Sequence, residues 1–165
     1  METFMLSVHV VVAIIFVGPL TVAVSLFPRY GRAALAPDDA SSPAARNRAA
    51  AVAGLLHRMS RSYAVLGLSV PVVGIALAGR MNVLGDLWVI TSLALTVAAA
   101  GLLAAVVLPD QRRIMTVLDA PESLGQGAVP RRQPGPGSVA PGLFAAMWVA
   151  VVVLMVARPG STTGI

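Results

Sequence analysis

Two histidines have the widest chemical scope of any side chains in this sequence. His9 lies within an apolar stretch near the N-terminus, and His57 stands beside Arg58 and close to Arg61. An imidazole can ligate a metal or a haem iron, and it can exchange a proton near neutral pH. The sequence contains no cysteine, so disulfides and thiolate metal sites are excluded. Whether the two imidazoles act together depends on the elements that carry them.

The composition places those elements in a membrane. Of the residues, 57% are hydrophobic and 12% are charged, and the mean hydropathy is +0.83, which is too apolar for a water-soluble globule. Four apolar runs are long enough to cross a bilayer as helices, at about 4–27, 62–79, 87–108 and 139–157. The sequence therefore predicts an all-α fold, a polytopic membrane protein whose four transmembrane helices form one antiparallel bundle.

The arginines predict how this bundle is oriented. All twelve basic residues are arginine, and ten of them lie in the connections 28–61 and 109–138. Because cytoplasmic connections are enriched in basic residues, we expect both connections to be cytoplasmic and both termini to lie outside. A bacterial inner (cytoplasmic) membrane is the expected location. The second connection contains a Pro/Gly-rich segment for which we predict a flexible linker.

Prolines predict where the helices bend or end. Pro19 and Pro71 lie inside predicted spans and should bend them, because proline lacks an N–H and clashes with the carbonyl four residues earlier. Pro28 marks the start of the first connection, and Pro109 is predicted to end the third span.

The predicted topology separates the two histidines. His9 should lie about 7 Å inside the outer boundary at helical rise, whereas His57 precedes the second span at the cytoplasmic face. One haem iron cannot take both imidazoles of one chain as axial ligands. We assign no cofactor, and His9 is the candidate for contacting one. Its simplest role is a structural hydrogen bond; contact with a partner or quinone-like ligand, or with a metal or haem shared between two chains, are the alternatives.

Two further groups of residues are candidate contacts. His57, Arg58 and Arg61 could bind anionic lipid headgroups, although such arginines also act simply as topology determinants. Small residues recur at four-residue spacing in the third and fourth spans, which permits close helix approach. These residues either build the bundle or dock another membrane protein, and Trp148 needs a partner for its indole N–H if it is buried. They are Ser92, Thr96, Ala100, Gly142 and Ala146.

No arrangement of residues typical of an enzyme is present. The sequence lacks a phosphate-binding loop, paired carboxylates within a span, and a nucleophile with a neighbouring base. We therefore predict no catalytic residue, no metal site and no enzymatic activity. The net charge of +5 is scattered among apolar runs, which argues against a nucleic-acid-binding face.

Several short motifs resemble those of a family of small bacterial four-span integral membrane proteins of unknown function. That family carries an early histidine and a Gly-Pro break in its first helix. The matching segments here are His9-Val10, Gly18-Pro19, Ser25-Leu26-Phe27-Pro28-Arg29-Tyr30, His57-Arg58 and Tyr63-Ala64-Val65-Leu66-Gly67. The resemblance implies four spans and no known catalytic residues.

Three functions are compatible with these features. The first is a non-catalytic accessory subunit or assembly factor of a larger membrane complex; by analogy, a respiratory cytochrome bc and cytochrome c oxidase supercomplex is the expected partner, with membrane lipids around it. The second is a redox protein in which His9 contacts haem or quinone across a dimer. The third is a small transporter, although the spans carry few polar groups near the midplane.

Overall fold

The computed structural model describes residues 2–37, 40–119 and 139–159, and these are helical throughout apart from short turns. The helices are α1 (Glu2–Ala34), α2 (Pro43–Gly67), α3 (Ser69–Arg80), α4 (Leu87–Leu102), a π-helical turn (Leu103–Val107), α5 (Leu108–Asp119) and α6 (Ala140–Ala157). The predicted Pro/Gly-rich linker lies outside the described residues, from 120 to 138.

Four helical segments are long and apolar enough to cross a membrane, which confirms the predicted all-α, four-span architecture. They are Phe4–Ala34, Pro43–Arg80, Leu87–Asp119 and Ala140–Ala157. Their outward faces carry exposed Val, Leu, Ile and Phe side chains, such as Phe4 and Val156. Lipid covers such faces at no cost, whereas water would not. The chain is therefore a multi-pass membrane protein.

Three of the four segments are longer than a bilayer requires. At helical rise, 33 residues of α1 reach about 50 Å, against about 30 Å of hydrocarbon. The excess lies where α1 ends, α2 begins and α5 follows the third span, and this end carries Arg29, Arg48 and Arg112. We call it the arginine-rich end, and we call the opposite end the arginine-poor end.

Two predictions about proline are wrong. Helix α1 continues through Pro28 to Ala34, and the third segment continues through Pro109 to Asp119. A π-helical turn ends at Val107, two residues before Pro109, whose missing N–H interrupts the α-helical hydrogen-bond pattern. Beyond Pro28, α1 is held by packing, since Phe27 belongs to a buried cluster with residues of α2 and a Cβ placed on Gly31 would lie 3.3 Å from Ile114 of α5. Tertiary contacts outweigh the local cost of these prolines.

The other two intrahelical prolines behave differently from each other. The second segment is interrupted at Leu68, between α2 and α3, three residues before Pro71. Helix α1 continues through Pro19 without a break, and the nearby Thr21 hydroxyl donates a hydrogen bond to the Val17 carbonyl over 2.8 Å.

The bundle is layered along its axis. Next to the arginine-rich end, α1, α2 and α5 share a buried cluster that contains Ala23, Phe27, Ala53 and Leu56. The middle is packed by α1, α4, the π-helical turn and α6, around Leu20, Val24, Ala99, Leu103, Val107, Ala140 and Phe144. The arginine-poor end differs from both layers, because a cavity opens there.

Candidate functional site

A cavity of about 650 Å³ lies at the arginine-poor end, between α1, α3, α4 and α6. Its walls are mostly aliphatic, with Val70, Ile75 and Leu93 among the lining residues. A volume of this size falls in the range of sites that hold small organic ligands. The lining also includes residues of the short turn between α3 and α4 and of the end of α6, and we call this part of the cavity its mouth.

His9 forms part of the α1 wall. Its side chain is buried, and its Nδ1 atom has no hydrogen-bond partner. The imidazole packs directly on α3 at Gly74: a Cβ placed on Gly74 would lie 3.0 Å from His9 Cε1. The absence of a side chain at position 74 is what admits the ring to this wall.

Ser92 contributes a second unpartnered atom, from α4. Its Oγ is buried and makes no hydrogen bond. Neighbouring hydroxyls on the same helix do bond: Thr96 donates to the Ser92 carbonyl over 2.8 Å, and Thr91 donates to Leu87 over 2.7 Å. Serine in a helix can satisfy itself by the same back-bonding to the preceding turn.

Trp148, on α6, carries the third unpartnered atom. Its indole Nε1 is buried and unpartnered, and its ring lies edge-on to Phe144 with centroids 6.3 Å apart. Phe144 is fully buried in the central cluster, so this contact fixes the indole. By contrast, Trp88 at the cavity mouth donates its Nε1 to Asp86 Oδ2 over 3.0 Å.

The three unpartnered atoms belong to three different helices, and the residues that carry them line the same cavity, although each atom is itself covered by protein. Among the described residues, they are all of the buried side-chain N and O atoms that lack a hydrogen-bond partner. Leaving a buried polar group unpaired costs about 1–3 kcal/mol, so a native structure needs a reason for each one. Because the atoms are covered by protein, a ligand in the cavity pairs with them only after their side chains turn toward it.

The mouth of the cavity is amphipathic. The guanidinium of Arg158 lies over the Trp88 ring, 5.8 Å from its centroid. Arg158 has a left-handed backbone (φ 40°) at the point where α6 ends. An aromatic ring with a cation above it is typical of a membrane–water interface.

A second polar group lies toward the arginine-rich end, and all of its members are paired. His57 Nδ1 is 3.1 Å from Gln111 Oε1, and Gln111 Nε2 donates to Ser60 Oγ over 3.2 Å. The His57 ring also packs against Phe27, with centroids 6.4 Å apart. We call His57, Gln111 and Ser60 the inner cluster. Its hydrogen bonds join α2 to α5, so its geometry is that of a structural link.

The two histidines are far apart, as the sequence predicts. The His57 ring contacts Phe27, which follows His9 by eighteen residues on α1, or about 27 Å along the helix. One iron cannot bind both imidazoles of this chain. Among the described residues, no group of three or more His, Cys, Asp or Glu side chains could hold a metal ion.

The remaining predicted contact residues divide between the interior and the surface. Thr96 is buried beside the cavity, whereas Arg58 and Arg61 are exposed on α2. The other three are exposed on the outside of the bundle, at Ala100, Gly142 and Ala146. The interpretation that this spacing builds the bundle is therefore wrong for these three.

Sequence reasoning missed Gln111 and the role of Gly74. Gln111 is an amide between an apolar span and two arginines, and that position signals a buried polar bridge. Gly74 is recognisable as a small residue, but its contact with His9 depends on how α1 packs on α3.

The chain has no significant match among known protein families, curated proteins or solved structures. Its resemblance to the four-span family stays a prediction, and the site is interpreted from its own geometry.

Proposed function

We propose that this protein is a non-catalytic membrane protein that binds a lipid-soluble molecule in the cavity at its arginine-poor end. One observation carries the proposal: a mostly aliphatic cavity of about 650 Å³ includes His9, Ser92 and Trp148 in its lining. The apolar body of a membrane ligand would fill the space between the helices, and the polar side chains of the lining would turn to pair with its hydrogen-bonding head.

Extraction of the purified protein tests this proposal. The protein is isolated in mild detergent, and apolar small molecules are quantified per chain by mass spectrometry. We expect about one ligand per wild-type chain and a clear loss in the double variant Ser92→Ala/Trp148→Phe. Thr91→Ala is the matched control, because Thr91 is exposed and bonds within its own helix. Equal ligand content in all three proteins would overturn the proposal.

A second candidate, an accessory subunit of a larger complex, is favoured by the outward small residues. Ala100, Gly142 and Ala146 expose a surface that lets another transmembrane helix approach closely. A respiratory oxidoreductase supercomplex is the proposed partner, by analogy with its small spanning subunits. Mild-detergent purification should recover its subunits in fixed stoichiometry with the wild type and less with Ala146→Leu. Recovery of the chain alone would argue against it.

We further propose that the arginine-rich end faces the cytoplasm of a bacterial cell and that the cavity opens toward the outside. The arginine distribution supports this orientation. The chain has no native cysteine, so single-cysteine variants report cleanly. Gly85→Cys should react with an impermeant thiol reagent on intact cells, and Arg48→Cys should not. The reverse pattern would invert the proposed orientation.

A further inference from the structure

Arg58 and Arg61 lie at the edge of the hydrocarbon layer. Arg80 ends the same helical segment at the arginine-poor end, 22 residues after Arg58 and 19 after Arg61. At helical rise these separations are about 33 and 28 Å, and the hydrocarbon layer is about 30 Å thick. The two arginines therefore lie on either side of its boundary at the arginine-rich end. Leu55 and Val65, which precede and follow the pair on α2, are both exposed on the outside of the bundle.

Arginines of two neighbouring helices share this level. The His57 ring packs against Phe27 of α1 and is hydrogen-bonded to Gln111 of α5, so these three residues mark one height in the bundle. Arg29 follows Phe27 by two residues and Arg112 follows Gln111 by one, which places them about 3 and 2 Å farther out. All four arginines at this level are exposed. We call them the arginine collar: Arg29, Arg58, Arg61 and Arg112.

The arginine collar has no counter-ion of its own. Arg113, next to it, lies 3.8 Å from Asp110, whereas within the described part of the chain none of the four collar arginines forms an ion pair. A guanidinium keeps its charge in a protein, and an unpaired charge at the edge of the hydrocarbon is costly. The long arginine side chain avoids this cost by extending into the headgroup layer and binding an anion there.

Lipid phosphate is the anion that this layer supplies. A guanidinium can bind a phosphate through two parallel hydrogen bonds. The headgroup of phosphatidylcholine carries its own cation beside the phosphate, whereas an anionic headgroup such as that of phosphatidylglycerol brings a net negative charge. Basic residues next to a membrane surface are attracted to such anionic lipids. The charge of the collar therefore favours the anionic class.

We propose that the arginine collar is a binding site for anionic phospholipid headgroups in the leaflet at the arginine-rich end. The site encircles the level of the inner cluster, where α1, α2 and α5 meet, and a headgroup bound there would neutralise the guanidiniums of adjacent helices. It lies at the opposite end of the bundle from the cavity, and its existence does not depend on the proposed function.

Spin-labelled lipids test this site directly. The full-length protein is reconstituted in phosphatidylcholine at neutral pH and low salt, with a trace of phosphatidylglycerol or phosphatidylcholine labelled near the end of one acyl chain. Electron paramagnetic resonance gives the motionally restricted fraction of each labelled lipid, and hence the ratio of their association constants. We expect the wild type to prefer phosphatidylglycerol, and Arg58→Gln/Arg61→Gln to reduce the ratio about fivefold.

The matched control removes the same charge from the same end at a different depth. Arg32 and Arg48 are exposed and lie about 12 and 18 Å beyond the hydrocarbon boundary, outside the headgroup layer. Arg32→Gln/Arg48→Gln should keep the ratio to within about twofold, because screening weakens attraction over such distances. The number of restricted phosphatidylcholines per chain reports an intact bundle and should be the same in all three proteins.

Three results would overturn the collar. Equal losses in the two double variants would show a long-range attraction by the whole end of the molecule. A ratio unchanged by Arg58→Gln/Arg61→Gln would leave these two arginines as topology determinants only. A wild type that restricts both labelled lipids equally would show that the collar does not select anionic headgroups. The ligand content of the cavity is measured separately and bears on none of these results.

Discussion

The surroundings of the two histidines differ in their hydrogen bonding. His57 is paired with Gln111, which is paired in turn with Ser60, so the inner cluster is closed on itself. His9 lies with Ser92 and Trp148 around a cavity in which none of the three polar atoms named above has a partner. Inside a bilayer there is no bulk water to satisfy polar groups, so the paired site stabilises the fold and the unpaired site is suited to a ligand.

The largest effect should come from breaking the inner cluster. Gln111→Ala removes both hydrogen bonds and leaves a void at a position that is 2% exposed. We expect a loss of about 2–4 kcal/mol in the free energy of unfolding. Thr116→Ala, at an exposed position of α5, is the control and should change it by less than about 0.5 kcal/mol. Unfolding in mixed micelles measures both, and equal stabilities would show that the cluster is not structural.

Two buried serines give the sharpest form of the comparison. Ser60 and Ser92 are 0% and 2% exposed, but only Ser60 has a partner. Ser60→Ala should cost about 1–2 kcal/mol, because Gln111 loses its acceptor. Ser92→Ala should instead stabilise the ligand-free protein, by about 1 kcal/mol, because it removes a buried hydroxyl that has no partner. If Ser92→Ala costs as much as Ser60→Ala in delipidated protein, the two sites do not differ as described.

The contact between Gly74 and His9 can be tested by a double-mutant cycle. A Cβ at position 74 would lie 3.0 Å from the imidazole, so Gly74→Ala must displace the ring. Alanine otherwise favours a helix over glycine by about 1 kcal/mol. Gly74→Ala should therefore stabilise the His9→Ala protein but not the wild type. Gly101→Ala, where nothing lies within 4 Å of the added carbon, should stabilise both equally. Additive effects at positions 74 and 9 would contradict the contact.

The smallest effect is expected at the mouth of the cavity. Arg158→Gln removes the cation from the Trp88 ring, a contact worth about 0.5–1 kcal/mol. Ligand content should be unchanged, since the hydrogen-bonding atoms lie deeper. Thermal unfolding and lipid extraction on the same preparation check both statements. A complete loss of ligand from the Arg158→Gln variant would indicate that the ligand binds at the mouth and has a charged headgroup.

The sequence predicts the fold better than it predicts the interior. Four apolar runs specify four spans, because hydrophobic length alone decides membrane insertion. That the helices continue through Pro28 and Pro109 was not predictable, because it depends on packing between helices, such as that of Gly31 near Ile114.

The rotation of residues around a helix explains why Ala100 lies on the outside of the bundle. A strict four-residue spacing drifts by about 40° per step around an α-helix. The stripe that begins at Ser92 and Thr96 therefore leaves the interior by Ala100, while the buried face continues through Ala99 and Leu103. His9 was recognisable as an intramembrane histidine, but its companions in the cavity depend on how four helices rotate and pack.

A high-resolution structure of the protein purified with its native lipids tests the central claim most directly. We predict one ligand in the cavity, with polar atoms within hydrogen-bond distance of His9 Nδ1, Ser92 Oγ and Trp148 Nε1. A cavity filled by a water cluster, or closed by side chains that pair these three atoms with one another, would contradict the claim.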